Sequence, residues 1–148
     1  AVIDSQSSKT NNRCEAKGFD GNKKVKGRKR HIATDTQGRL LHAEVHAANN
    51  SDTIMGTVVA KATVKKFKSV KTFSVDMGYR GTTKNFVEKV LKCAVLVRSK
   101  IRYVVERTFA WFTNFRRHSK DYEYLTHTAE AFLYLGNIYL LLRRAFQY

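Results

Sequence analysis

The chain has 148 residues, one domain's worth, and its 43% hydrophobic content is enough for a packed core. Lys and Arg number 28 against 12 acidic residues, a formal charge of +16, which favours a polyanionic partner. The 11% aromatic content excludes a disordered basic tail. The longest apolar run, Ala131 to Leu142, falls short of the roughly 20 residues a membrane span needs and ends at Arg143.

The opening Ala1-Val-Ile-Asp4 has neither an initiator Met nor a charged leader, so the chain reads as one that starts inside a domain. These β-branched residues running into Ser5 predict the end of a buried strand, with Asp4 at its C-terminal end. Ser5 to Gly27 is polar and reads as a loop. Arg28 to Thr34 and Leu40 to Ala47 flank Asp35-Thr-Gln-Gly38 and predict a hairpin with Asp35 in its turn. Asn49 to Asp52 reads as a helix cap, followed by a helix to about Lys66. Lys71 to Asp76 predicts another strand, Met77 to Gly81 a tight turn, Thr82 to Lys92 a helix and Cys93 to Val97 a short strand. Two amphipathic helices follow, from Arg102 to about Arg116 and from Thr126 to Phe146. The order predicts an α/β fold, a mixed sheet with helices packed on it.

Asp4 and Asp76 each stand at a predicted strand end, where ligand chemistry gathers in α/β sheets. An aspartate there is also a common turn or cap residue. Glu106 lies within a helix, at the edge of a face formed by Val104, Val105, Thr108, Phe109, Trp111, Phe112 and Phe115. Its plain reading is a solvated glutamate paired with Arg102 one turn earlier. Its sharper reading is a carboxylate aimed into a site. Three carboxylates on different elements suit Mg²⁺, and two such ions assist phosphodiester displacement. Periodicity does not say whether the three converge.

Longer motifs run through the chain. They are Val2-Ile-Asp4-Ser-Gln-Ser7, Gly18-Phe-Asp20-Gly, Lys24-Val-Lys-Gly-Arg-Lys-Arg-His31, Asp35-Thr-Gln-Gly38 and Val45-His46-Ala47-Ala-Asn49. Asp76-Met-Gly-Tyr-Arg-Gly81, Val104-Val-Glu-Arg-Thr-Phe-Ala-Trp111 and Arg116-Arg-His-Ser-Lys-Asp-Tyr-Glu123 complete the series. In this order they resemble the DDE transposases of bacterial insertion sequences, the insertion sequence five family. The resemblance implies an RNase H-like catalytic core over residues 1–148, with Asp4, Asp76 and Glu106 as the catalytic, metal-binding triad. It implies two Mg²⁺ ions, for which Mn²⁺ substitutes, and cleavage and strand transfer at element ends. Double-stranded DNA is the implied partner, both transposon end and target, without a membrane. The task of joining two ends fits a homodimer, and the location implied is the bacterial cytoplasm, at the nucleoid. The N-terminal DNA-recognition part of such proteins is absent here, and Lys92 to Arg102 is shorter than is usual for the family. A DNA-binding remnant without catalysis and a general RNase H-like nuclease without a joining step are the alternatives.

The basic segment contains Lys23, Lys24, Lys26, Arg28, Lys29 and Arg30 and is expected to contact DNA phosphates. Six such contacts would give a slope of log affinity against log salt of about −5. Arg107, Arg116, Arg117 and Lys120 form a second expected DNA patch, on or just past the Glu106 helix. His42, Glu44 and His46 share a strand face, an arrangement that alternation produces freely, although His46 matches a family position and suits a supporting role near the metals. Cys14 and Cys93 belong to no ligand cluster and read as ordinary reduced thiols. The aromatic residues between Phe132 and Tyr139 read as core or oligomer contacts.

Overall fold

The computed structural model describes residues 1–97 and 100–146. Six strands form one sheet: β1 (Val2–Lys9), β2 (Gly18–Asp20), β3 (Val25–Thr34), β4 (Leu40–Ala47), β5 (Thr72–Val75) and β6 (Ala94–Val97). Four helices pack on it: α1 (Asp52–Lys66), α2 (Thr82–Lys89), α3 (Tyr103–Thr113) and α4 (Thr126–Phe146). The central strand β1 runs antiparallel to β3 and parallel to β5, β5 runs parallel to β6, and β2 and β4 both pair with β3. This is a mixed α/β fold whose strand arrangement is compatible with an RNase H-like core.

Strand alternation sorts the interior into two cores. Val2 and Ile32 join Val105, Phe109, Phe112 and Leu133 on the α3–α4 face. Their neighbours Ile3 and Ala33 join Val59, Phe73, Val75 and Val87 on the α1–α2 face. Both faces of β1 and β3 are therefore covered, and residues one apart in sequence look out on different helices. The spacing of Val104, Val105, Thr108, Phe109 and Phe112 makes one buried side of α3, as the helical period predicts. Trp111 and Phe115 lie only at its margin.

Two expectations change. The segment read as a loop after Asp4 continues as β1 to Lys9, and Gly18 to Asp20 adds a further strand. Its residues are polar because their partners across the ladder are Arg28, Lys29, Arg30 and His31 rather than an apolar layer. The close approach is backed by Gly27, where a Cβ would stand 2.0 Å from the carbonyl oxygen of Ser8. The hairpin turn forms as expected: Asp35 accepts from the backbone N–H groups of Gln37 and Arg39, and Gly38 takes a φ of +85°. The shortened stretch Lys92 to Arg102 includes Arg98 and Ser99, which lie outside the described residues. Among the described residues no helix is long and apolar enough to cross a membrane.

Candidate active site

Asp4 and Asp76 become neighbours through the parallel pairing of β1 and β5, in which Val2 stands opposite Ser74. Two residues further on stand Asp4 in β1 and Asp76 just past β5. Asp76 follows the end of β5 as expected and caps the short turn Met77–Tyr79 by accepting from the Met77 N–H. Asp4 lies within β1 and not at its end, a correction that follows from the polar continuation of the strand. Its carboxylate accepts from the N–H of Ser5 at 2.8 Å. Glu106, in the first turn of α3, is exposed.

The three acids meet on Arg102. Its Nη1 lies 3.3 Å from Asp76 Oδ1, and its Nη2 lies 3.3 Å from Glu106 Oε1 and 3.9 Å from Asp4 Oδ2. The plain reading of Glu106 as the helical partner of Arg102 is realised, and the same guanidinium also lies near both aspartates. The carboxylates surround a guanidinium, and among the described residues no three acidic, His or Cys side chains stand at metal-ligating spacing. Burial raises the pKa of Asp4 above the ordinary 3.8, outweighing the Ser5 N–H and the positive charge of Arg102. Arg102 was legible only as the partner of Glu106 at i−4; its contacts with Asp4 and Asp76 are tertiary.

The basic segment divides. Lys23, Lys24 and Lys26 are exposed around the β2–β3 turn, with Lys23 Nζ donating to the Ser5 carbonyl at 2.8 Å. Arg28 and Lys29, expected at DNA, are instead spent inside the protein. The Arg28 side chain is 0% exposed, pairs with Asp121 at 3.2 Å and donates to the carbonyls of Glu15, Glu123 and Tyr124. Lys29 pairs with Asp52 at 2.9 Å and with Asp20 at 3.6 Å. The cause is placement on the central strand β3, both faces of which are covered. Arg30 is also buried and donates to the His118 carbonyl at 2.6 Å.

In the second patch, Arg107 stacks over Trp111, 4.7 Å from its ring centre. Arg116 is exposed, Arg117 pairs with Glu123 at 3.4 Å, and Lys120 lies over the Tyr122 ring. The strand triple splits as well. His42 bonds Glu44 at 2.9 Å, whereas His46 joins a buried chain in which His46 Nε2 lies 3.4 Å from His31 Nδ1. At the other end of that chain, His31 Nε2 lies 2.8 Å from the Tyr79 hydroxyl. Burial lowers the His31 pKa to about 3, so both rings are neutral in this chain near pH 7. His46 Nδ1 faces the Ala47 carbonyl at 3.0 Å, which assigns every proton: Tyr79 donates to His31, His31 to His46, and His46 to the backbone. The network ties the turn after Asp76 to β3 and β4, a support that only the folded chain reveals.

Asp4 from β1, Asp76 from just past β5 and Glu106 from α3 are thus gathered around one guanidinium on a mixed α/β domain. The chain matches the family model described as the transposase DDE domain over residues 1–98, and it belongs to that family. The matched span includes Asp4 and Asp76 and ends before Glu106. No curated protein and no solved structure matches the chain.

Proposed function

We propose that the chain is the catalytic part of an insertion-sequence transposase of the insertion sequence five family, which cuts DNA at element ends and joins them to a target. The observation that carries this reading is the meeting of Asp4, Asp76 and Glu106, from three separate elements, on the single positive group of Arg102. The donors are carboxylate oxygens, the type a hard divalent cation takes, and the cation would have to replace the guanidinium and draw them closer together. Mg²⁺ is the ion proposed, with Mn²⁺ as its substitute. When bound, it supplies Lewis-acid activation and stabilises charge on the phosphate oxygens.

The chemistry is two displacements at phosphorus. Water attacks the phosphate at the element end and the P–O3′ bond breaks; the attacking water gives one proton to solvent, and the leaving 3′-oxygen takes one up to become the 3′-hydroxyl. That 3′-oxygen then attacks a target phosphate, loses its proton and displaces the target's own 3′-oxygen. No bond forms between protein and DNA. Asp4, Asp76 and Glu106 would hold the cation, and the Tyr79–His31–His46 chain keeps the Asp76 turn in place. The exposed lysines Lys23, Lys24 and Lys26 and the arginines Arg107, Arg116 and Arg117 hold double-stranded DNA through its phosphates.

One observation favours a second reading, a remnant that binds DNA without cutting it: Arg102 fills the centre of the acidic group. Nicking and strand transfer on a terminal-repeat duplex, with Mg²⁺ or Mn²⁺, decide between the two. Metal-dependent products that vanish in Glu106→Gln support the transposase. Undiminished transfer by Glu106→Gln sinks the triad, and binding without cleavage establishes the remnant.

A further inference from the structure

Alternation along β1 places Gln6 and Ser8 on the same face as Asp4. Beside them opens a cleft of about 360 Å³, whose other walls include Arg30 from β3 and Ser119 and Lys120 beyond α3. Lys9 stands at its rim, and none of the residues lining it is acidic. Thr113, seven residues along α3 from Glu106, lines it too. The cleft is thus lined by residues that follow Asp4 along β1 and Glu106 along α3.

Its inner wall carries an unbalanced charge. Arg28 and Arg30 are two apart on β3, face the same side and are both buried. Arg28 has the Asp121 carboxylate at 3.2 Å and three backbone carbonyls. Arg30 donates to one backbone carbonyl, that of His118, and among the described residues has no carboxylate within 4.0 Å, sharing the charge of Asp121 only at longer range. Buried charges are ordinarily paired, because desolvation of a lone ion is not otherwise compensated. His118, beside it, is held neutral by burial and by the Arg30 charge, its pKa lowered to about 4. The Gln6 amide oxygen is buried without a partner, and half a turn of that amide presents its NH₂ instead.

We propose that this cleft is a phosphate subsite, in which Arg30, Lys9 and Lys120 take a phosphodiester of the DNA strand that runs past the acidic site. The inference rests on the transposase reading and adds to it a specific seat for the strand. Gln6 and Ser8 lie about 7 and 13 Å from Asp4 along the strand. At about 3.4 Å of rise per nucleotide, the phosphate held is roughly two to four nucleotides from the one attacked. Ser8 and Ser119 hydroxyls serve as neutral donors to the same group.

The test uses the full chain in EDTA, so that binding is read apart from cleavage. Terminal-repeat duplexes carry single neutral methylphosphonates at successive positions around the cut. Wild type is expected to lose about tenfold in affinity at one position two to four nucleotides away. The variant Lys9→Ala/Lys120→Ala, whose side chains are outside the core, is expected to lose a similar factor on unmodified DNA and little more on that methylphosphonate. Arg30→Gln, if it folds by circular dichroism, should behave alike. Additive losses, or no sensitive position in that window, overturn the subsite even where Glu106→Gln still abolishes cleavage. Protection of wild type by inorganic phosphate, without the coupling on DNA, assigns the cleft to a free anion and also overturns the proposal. Failure to bind any duplex removes the transposase reading itself.

Discussion

Arg102 lies between Asp4, Asp76 and Glu106, so under the proposed function guanidinium and metal would compete for the same three carboxylates. Arg102→Gln removes the competing charge, and Mn²⁺ bound by the metal-free protein, followed by electron paramagnetic resonance, is expected to tighten about tenfold. A weaker or unchanged affinity would show that Arg102 supports the acids and does not shield them. Asp4 adds a pH dependence. Its folded pKa is raised by burial, so its contribution to stability is present below the ordinary value of 3.8 and is lost as pH rises through the higher folded value. Metal requires the ionised form, so Mn²⁺ affinity should keep climbing with pH above the range of ordinary aspartates. Asp4→Asn, which cannot ionise, should abolish that climb. Arg28 makes the opposite kind of prediction. Removing it leaves Asp121 buried without its partner, so Arg28→Ala should cost about 3–5 kcal/mol in urea unfolding. A loss below about 1 kcal/mol would return Arg28 to the surface role its sequence context implied.

Among the elements, β1 is the one whose character had to be revised. It is buried and apolar at Val2 and Ile3, then continues through Ser5, Gln6, Ser7 and Ser8 with no hydrophobic signal. A strand can be polar when the strand beside it is basic, and β3 supplies that neighbour. The same pairing withdraws Arg28 and Lys29 from the surface and leaves Lys23, Lys24 and Lys26 around the β2–β3 turn as the exposed cations of the segment. If Lys23, Lys24 and Lys26 each meet a phosphate, replacing all three by Ala should flatten the slope of log affinity against log salt by about 2.7. An unchanged slope would place DNA elsewhere, on Arg107, Arg116 and Arg117. The helix α3 was readable in advance because Val104, Val105, Thr108, Phe109 and Phe112 repeat with the helical period and pack on the sheet. That periodicity also fixed Glu106 as an exposed residue at the edge of the buried face.

At the scale of the molecule, the mixed α/β character, most of the strands and helices and the hairpin at Asp35 could be read along the chain, whereas the strand Gly18–Asp20 and the polar continuation of β1 could not. The legible features depend on local spacing, turn chemistry or ordered motifs, which are properties of sequence. The surplus of positive charge likewise announced a polyanionic partner. Tertiary structure decided what local spacing cannot carry. It decided that β1 lies between β3 and β5, so that Asp4 and Asp76 become neighbours across a parallel pair. It decided that Arg102 joins Asp4, Asp76 and Glu106, and that of two similar arginines Arg28 is paired within the core while Arg30 lines a cleft. A charge run is the same string of letters whether it faces solvent or carboxylates. Only the packing of both faces of the sheet determines which charges are desolvated, which are neutralised by partners distant in sequence, and which are left to meet DNA.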